Sequence, residues 1–207
     1  MLIGVPKEIK THEYRVGMVP SSVREVIHHG HTVLVETGAG LGIGFDDQAY
    51  IAAGAKIAKT AAEIFEKTEM VVKVKEPQAS EYKKLRRGQI LFTYLHLAPD
   101  PEQTKGLIDS GCTAIAYETV TNSRGGLPLL APMSEVAGRM SIQVGAHCLE
   151  KGAGGTGILL GGVPGVAPAK VVIIGGAYGG TPAARMALGM EAQVVILERA
   201  LDRVKQL

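Results

Sequence analysis

Three side chains in the first half of the sequence could bind a small carbonyl compound and move a proton: Arg15, Lys75 and His96. An arginine fork can hold a carboxylate through two parallel hydrogen bonds, and a lysine can polarise a carbonyl or hold a carboxylate. A histidine can act as acid and base near neutral pH. Each has a simpler interpretation: Arg15 is solvated, Lys75 forms a solvated pair with Lys73, and His96 is a core histidine because its neighbours are apolar.

A glycine-rich turn in the second half is typical of a dinucleotide site. Read as G-x-G-x-x-G it contains Gly175, Ala177 and Gly180, so alanine replaces the middle glycine, where backbone normally approaches a pyrophosphate. Glu198 follows 23 residues after Gly175, at the end of the next apolar run. A carboxylate there can accept hydrogen bonds from the adenosine ribose and repel a 2′-phosphate, which favours NAD over NADP. Two nearby arginines soften that preference, and the alternative is a plain glycine turn beside a solvated acid.

Several classes of protein are excluded by motifs that the sequence lacks. There is no G-x-x-x-x-G-K-[ST] phosphate loop, no G-x-S-x-G elbow and no H-E-x-x-H zinc helix. His28, His29 and His31 lie together, but no acid or cysteine completes a ligand set, so no metal site is predicted. Lysine and arginine total 22 against 20 acidic residues, and this balance argues against a nucleic-acid binder.

The start of the chain and its cysteine content bear on the compartment. Charges at Lys7, Glu8 and Lys10 leave no apolar leader, and glycine and proline break the longest uncharged stretches. Two cysteines are too few for a disulfide framework. We therefore expect a cytoplasmic protein with no membrane partner.

The elements that must position the first group of side chains alternate between strands and helices. Short apolar, β-branched runs predict five strands, at Leu2–Val5, Thr32–Glu36, Met70–Val74, Gln89–Thr93 and Thr113–Tyr117. Helical patterns lie between them, one of them opened by the capping box from Thr60 to Glu63. This alternation predicts a parallel sheet covered by helices on both faces. Because ligands of such sheets bind beyond the carboxyl ends of the strands, Lys75, His96 and Glu118 should share one edge.

The second half of the sequence has a different pattern of elements and more glycine, and we therefore predict two domains, 1–128 and 129–207. Ser134 can cap a long helix near 135–151, and a glycine-rich stretch follows. Strands are predicted at Lys170–Ile174 and Gln193–Leu197, with a helix between them near Thr181–Met190.

Seven blocks in order carry a resemblance to a known family. They are Met1–Arg15, Val35–Gly42, Lys73-Val-Lys-Glu-Pro77, Leu91-Phe-Thr-Tyr-Leu-His-Leu97, Ala114–Thr119, Ala131–Met140 and Gly161–Ala167. Along all 207 residues the sequence resembles the alanine dehydrogenase and pyridine nucleotide transhydrogenase family. The Lys75 block and the Tyr94–His96 block favour the alanine enzymes within it. The resemblance implies an α/β fold of two doubly wound parallel-sheet domains: a flavodoxin-like substrate domain, then a truncated Rossmann NAD-binding domain.

The resemblance also implies a reaction and its substrates. L-Alanine, NAD⁺ and water would be interconverted with pyruvate, ammonium and NADH. Arg15 would bind the substrate carboxylate, Lys75 would contact the substrate and stabilise charge on its carbonyl or imine, and His96 would be the acid and base. The family forms homo-oligomers, commonly hexamers, so the resemblance implies self-association as well.

Cofactor residues follow from the same resemblance. Ser134 would touch NAD, and the turn from Gly175 to Gly180, with Ala177 and Tyr178, would lie along its pyrophosphate. Glu198 would hold the adenosine ribose, where the family usually has aspartate, and Arg203 would lie near the same end.

The length of the chain bears on its activity, and two further interpretations of its function stay open. If these 207 residues are the entire gene product, we expect little or no turnover, because the second half of the dinucleotide domain would be absent. One alternative is a transhydrogenase-like subunit of the same architecture. The other is a non-catalytic module that self-associates or binds a ligand.

Overall fold

A computed structural model describes residues 1–207 as two compact units, Met1–Val120 and Thr121–Leu207. The division falls eight residues before the boundary predicted at residue 128. None of the helices combines the length and the apolar composition needed to cross a membrane.

The first unit is built on a six-stranded, fully parallel sheet. Its strands are β1 Leu2–Val5, β2 Thr32–Glu36, β3 Lys56–Ala58, β4 Met70–Val72, β5 Ile90–Thr93 and β6 Thr113–Ala116. Its helices are α1 Pro20–His28, α2 Asp47–Ala52, α3 Ala61–Lys67, α4 Ala79–Tyr82 and α5 Pro101–Ser110. The buried apolar residues fall into one cluster around β1 and β2 and another around β4 and β5.

The strand order is β3-β2-β1-β4-β5-β6. If only the five predicted strands are numbered, the order becomes 2-1-3-4-5, the flavodoxin-like order, so the predicted α/β class is confirmed. Strand β3, Lys56–Ala58, is the one strand of this sheet that was not predicted. It has three residues and buries only one of them, which leaves too short a pattern to detect.

The second unit contains the glycine turn. It consists of the long helix α6 Ala131–Leu149, strand β7 Lys170–Ile174, helix α7 Gly180–Gly189, strand β8 Gln193–Leu197 and the short helix α8 Leu201–Val204. β7 and β8 pair in parallel, from Lys170 opposite Gln193 to Ile174 opposite Leu197. The strand–turn–helix–strand unit predicted for a dinucleotide site is therefore present.

The start of α6 differs from the prediction. The helix begins at Ala131, four residues before position 135, and Ser134 lies inside its first turn rather than at its cap. Pro132 occupies the first turn, where its fixed φ favours helix entry and its missing N–H is not needed. The residue before the helix, Leu130, makes no side-chain cap bond.

A buried ion triad joins three elements at the carboxyl edge of the first sheet. Lys73, directly after β4, is fully buried, and its Nζ lies 3.1 Å from Glu8 Oε2 and 2.9 Å from Glu81 Oε1. Glu8 comes from the loop after β1 and Glu81 from α4. Glu8 also accepts a 2.6 Å hydrogen bond from the Val74 N–H. Burial raises the pKa of Glu8 and outweighs the opposing effect of Lys73. The interpretation of Lys73 as one of a solvated pair of lysines is therefore wrong.

We predict that Lys73→Met destabilises the chain by about 3–5 kcal/mol at neutral pH, because two buried carboxylates lose their counter-ion. The pKa of Glu8 is higher in the folded state than in the unfolded state, so protonation of Glu8 favours folding. The stability that its protonation supplies is fully present below the unfolded-state pKa and is lost as the pH rises through the folded-state pKa. The loss caused by Lys73→Met should therefore be smaller at about pH 5 than at about pH 7.

Urea unfolding at the two pH values measures this effect. The matched control is Lys105→Met, which removes an exposed ion pair with Asp109 and should cost less than about 0.5 kcal/mol. Equal losses for the two variants, or a Lys73→Met loss that grows on acidification, would contradict the triad's role.

Candidate functional site

The predicted substrate groups lie at one edge of the first sheet. Lys75 follows β4, His96 follows β5, and Glu118 follows β6 in a short 3-10 turn, while Arg15 lies in the loop after β1. Parallel strands end together at this edge. The side-chain contacts described below connect the four positions.

Arg15 is held by a neighbouring carboxylate. Its Nε donates to Glu13 Oε1 at 2.8 Å and its Nη2 to Glu13 Oε2 at 2.6 Å. The Glu13 side chain is only 6% exposed, against 43% for Arg15. The hydrogen bond from Arg15 is the largest cause that lowers the pKa of Glu13. An incoming carboxylate would therefore meet a guanidinium that Glu13 already binds.

Lys75 is half-buried and is anchored through its backbone. Its N–H donates to Glu8 Oε1 at 3.4 Å and its carbonyl oxygen accepts from Thr93 Oγ1 at 2.8 Å. The charge of Lys75 adds a smaller contribution to the lowered pKa of Glu13, after that of Arg15. The charges of Lys75 and Arg15 therefore both lie within electrostatic range of the Glu13 carboxylate.

His96 is exposed, and its backbone is left-handed with a φ of 48°. Its ring stacks on Tyr94, with centroids 6.0 Å apart and planes 21° apart. Tyr94 packs edge-on against Tyr117 at 5.0 Å. Burial raises the pKa of Tyr94, and the charge of Arg15 opposes that rise, so Arg15 lies within electrostatic range of the ring on which His96 stacks. The interpretation of His96 as a core histidine is wrong, because its ring is open to solvent.

Sequence reasoning gave no role to the carboxylates of this edge. Glu8, Glu13 and Glu118 bind, respectively, the backbone beside Lys75, the guanidinium of Arg15 and the backbone of His96. The sequence did offer one indication of a role for these carboxylates, because Glu8 and Glu118 each come shortly after the end of a strand. Their partners depend on neighbouring strands, which a single sequence does not show.

The glycine turn of the second unit depends on a close backbone approach. A Cβ at Gly180 would lie 1.8 Å from the Gly175 carbonyl oxygen, so only glycine permits this contact between turn and helix. Gly175 itself has a φ of +94°. Ala177 has no positive φ, so its methyl group adds no backbone strain to the turn.

The N-terminus of α7 offers hydrogen-bond donors. No hydrogen bond within the chain engages the N–H groups of Ala177 and Tyr178, both of which are exposed. A cavity of about 450 Å³ beside them is also lined by Arg139, Arg185 and Arg203. Unengaged amides, a helix N-terminus and three guanidinium groups suit phosphate oxygens. These residues fit a dinucleotide pyrophosphate.

Glu198 and Arg203 both bind the backbone of Gly176. Glu198 Oε2 accepts from the Gly176 N–H at 2.8 Å, and Arg203 Nε donates to the Gly176 carbonyl oxygen at 2.8 Å. Hydrogen bonds from the Ala200 and Gly176 amides lower the pKa of Glu198, which stays ionised at neutral pH. The carboxylate lies at the turn, where an acid that reads ribose is needed.

Ser134 lies beside the turn in the same unit. Its carbonyl oxygen would be 3.5 Å from a Cβ at Gly179. Close by, a Cβ at Gly138 would meet the Gly179 carbonyl oxygen at 2.1 Å, so α6 packs directly against the turn. The structure therefore brings Ser134, the turn, Glu198 and Arg203 into one region.

Fold and site together define a two-unit α/β protein with a charged sheet edge in one unit and a dinucleotide-type turn in the other. The N-terminal domain model of the alanine dehydrogenase/PNT family matches residues 4–137, and the C-terminal domain model matches residues 141–207. The chain belongs to this family.

Curated relatives and solved structures agree with the family. Alanine dehydrogenase of Halomonas elongata is 58% identical over 207 residues, and that of Bacillus subtilis is also 58% identical over 207 residues. A solved L-alanine dehydrogenase has a TM-score of 0.93 at 55% identity and is matched over 100% of this chain and 57% of its own. A transhydrogenase from Sinorhizobium meliloti has a TM-score of 0.85 at 24% identity over 100% of this chain and 59% of its own, which shows a shared fold alone.

The chain spans about half the length of the curated relatives that it matches. All of it aligns, but it covers 56% of the Halomonas elongata protein and 54% of the Bacillus subtilis protein.

We predict that Gly180→Ala destabilises the chain by about 1–3 kcal/mol, because the added methyl group would overlap the Gly175 carbonyl oxygen. The matched control is Gly179→Ala, whose Cβ would meet only the Ser134 carbonyl oxygen at an ordinary 3.5 Å. Thermal melts and titration with NADH compare the two variants. NADH affinity should fall for Gly180→Ala and change little for Gly179→Ala. Similar behaviour of both variants would show that the close approach is unimportant.

Proposed function

We propose that this chain carries the substrate site, and the first part of the NAD site, of an alanine dehydrogenase. The reaction would be the reversible conversion of L-alanine, NAD⁺ and water to pyruvate, ammonium, NADH and a proton. The observation that carries the proposal is the meeting of Arg15, Lys75 and His96 at one sheet edge, connected through Glu13 and Tyr94. A carboxylate anchor, a second cation and an exposed acid–base group are what a 2-oxo acid requires.

Each of the three groups has a distinct task in this proposal. Arg15 anchors the substrate carboxylate, as a planar guanidinium does best. Lys75 stabilises negative charge on the substrate's carbonyl oxygen as ammonia, formed when ammonium loses a proton, adds to the carbon. His96 gives a proton to the oxygen that leaves as water, and takes a proton from water in the reverse direction. Exposure of the His96 ring allows this exchange with solvent.

NAD supplies the redox step when it is bound, by accepting or donating a hydride. The Ala177 and Tyr178 amides at the α7 N-terminus would hold its pyrophosphate. Glu198 would accept hydrogen bonds from the adenosine ribose, with Arg203 at the same end and Ser134 beside the turn. Because Glu198 is ionised, it would repel a 2′-phosphate, which supports NAD over NADP.

The relatives favour the alanine enzymes over the other branch of the family. Relatives of 51–59% identity are named alanine dehydrogenase, whereas the transhydrogenase structure shares 24%. We therefore place a transhydrogenase-like subunit second. A purely structural or ligand-sensing module is disfavoured, because the charged groups of the edge are held in place with their charges partly exposed.

Assembly and compartment are part of the same proposal. α6 exposes an apolar row at Val136, Met140 and Val144, which are 52%, 48% and 52% exposed and lie one helical turn apart. A row of this kind suits contact with a second copy, in line with the homo-oligomer, commonly a hexamer, that the resemblance implies. Free Cys112 and Cys148 suit the reducing cytoplasm.

The direct test is NADH oxidation with pyruvate and ammonium by a full-length form, meaning this chain extended to the length of the relatives that it matches. Turnover that requires both pyruvate and ammonium supports the proposal. Hydride exchange between NADH and an NADP analogue without pyruvate would favour the transhydrogenase alternative. If a folded, NADH-binding protein shows neither activity, the proposal that it is an enzyme of this kind is wrong.

We predict that His96→Ala lowers kcat by about 10²- to 10⁴-fold, because the proton-transfer group is lost. The Kd for NADH should change little, since the cofactor residues lie in the second unit. His31→Ala, at another exposed histidine, is the matched control and should keep full activity. Steady-state rates and a fluorescence titration of NADH give both quantities. A near wild-type rate in His96→Ala would remove His96 from the mechanism.

We predict that Arg15→Lys raises the KM for pyruvate about tenfold or more, because a point-charge ammonium cannot reproduce a bidentate fork. Arg24→Lys, an exposed arginine on α1, serves as the control. Initial rates at varied pyruvate concentration compare them. An unchanged KM in Arg15→Lys would count against the carboxylate role.

A further inference from the structure

The backbone at His96 is strained, and the strain has a visible restraint. A φ of 48° places a non-glycine residue in the left-handed region, which such residues rarely adopt and which persists only where the surroundings fix it. The residue is not in a helix or strand, so no regular hydrogen-bond ladder supports this conformation. Something outside the local sequence must hold it.

Glu118 supplies that restraint. Its Oε1 accepts hydrogen bonds from the N–H groups of His96 at 2.8 Å and Leu95 at 3.0 Å. Successive amides that converge on one anion form the concave arrangement known as a nest, which a left-handed residue creates. The carboxylate of Glu118 fills this nest.

The sheet brings Glu118 to this position. β5 and β6 are paired in parallel with Thr93 opposite Ala116, so Glu118 lies two residues beyond the last pair on one strand, and Leu95 lies two residues beyond it on the other. Burial raises the pKa of Glu118, but the hydrogen bonds from the amides of His96, of Glu118 itself and of Leu95 together outweigh it and leave the pKa lowered. The carboxyl group is therefore ionised at neutral pH.

A second anchor holds the other side of the same segment. Gln103, which is 1% exposed on α5, donates from Nε2 to the Leu95 carbonyl oxygen at 2.8 Å. The Leu95 residue is thus held at its N–H by Glu118 and at its carbonyl by Gln103. The direction in which the His96 side chain leaves the backbone follows from these contacts and from the stack on Tyr94.

We propose that Glu118 is a positioning residue for catalysis, which sets the orientation of the His96 imidazole by binding the Leu95 and His96 amides. This inference rests on the proposed function of His96. Glu118 itself touches neither substrate nor cofactor in this account. Its effect on turnover passes entirely through His96.

The first test measures the amides directly in the ¹⁵N-labelled 207-residue chain. The Leu95 and His96 amide shifts should titrate together, with one midpoint below the ordinary carboxyl value of 4.5. In Glu118→Gln both transitions should disappear, while a thermal melt shows that the chain remains folded. Amides that do not titrate together in the wild type, or that titrate unchanged in Glu118→Gln, overturn the proposal.

The second test is a double-mutant cycle in the full-length form with pyruvate, ammonium and NADH. Glu118→Ala should lower kcat about 10- to 100-fold, with KM for pyruvate changed by less than about threefold, as expected for a displaced catalytic group. Glu118→Gln, which keeps one acceptor oxygen, should be intermediate. In a His96→Ala background, Glu118→Ala should leave the residual rate unchanged. Asp109→Asn, on the exposed side of α5, is the control and should be neutral.

The outcomes separate this inference from the function on which it rests. Suppose that the wild-type enzyme turns over pyruvate and that Glu118→Ala lowers the rate equally with and without His96→Ala. Glu118 would then have a general structural role, and this inference alone would be overturned. A wild-type enzyme that does not use pyruvate would overturn the proposed function, and with it any role in catalysis. The amide titrations would then still decide whether Glu118 holds the His96 backbone.

Discussion

The ion triad of Lys73 with Glu8 and Glu81 is the interaction on which the proposed substrate site depends. It lies fully buried at the carboxyl edge of the sheet and ties the loop after β1 and helix α4 to the end of β4. Glu8 continues from the triad to the Val74 and Lys75 amides, so the backbone that carries Lys75 is fixed by the same group. Buried charges tolerate little rearrangement, because each lost partner leaves an ion without compensation. The backbone that carries Lys75 is therefore rigidly held beside the other groups of the sheet edge.

The same design recurs along this edge. A carboxylate from one segment binds the backbone or side chain of a functional group on another: Glu8 at Lys75, Glu13 at Arg15 and Glu118 at His96. Acidic groups in these positions leave the cations and the imidazole oriented but accessible. In the second unit Glu198 does the same for the glycine turn, where it accepts from the Gly176 amide. Acids thus pre-organise both regions, so less ordering is left for the moment of binding.

Much of this architecture follows from sequence pattern. The β-branched runs predicted five strands of the first sheet, and the helices between them predicted that the sheet is parallel. The strand order 2-1-3-4-5 agrees with the flavodoxin-like domain that the family resemblance implied. The edge position of Lys75, His96 and Glu118 could be predicted because each comes just after a strand. The glycine turn and Glu198 could be predicted from spacing alone.

Other features depend on contacts between distant segments. Lys73 was indistinguishable from a surface lysine, because its two partners lie 65 and 8 residues away. The left-handed conformation of His96 has no local signal, since the carboxylate that binds its amide comes from the turn after the neighbouring strand. Ala177 replaces the middle glycine of the turn without a positive φ, so this departure from the glycine pattern does not strain the backbone. Ser134 was misread as a helix cap because Pro132 starts α6 a turn earlier.

We propose that one sheet edge binds a 2-oxo acid through Arg15, Lys75 and His96. A crystal structure of the full-length form with pyruvate and NADH would show whether it does. We expect the pyruvate carboxylate within hydrogen-bond distance of Arg15, with Lys75 and the His96 imidazole beside the carbonyl oxygen. Pyruvate bound elsewhere, or bound here with His96 turned away from it, would show that this edge is not the substrate site.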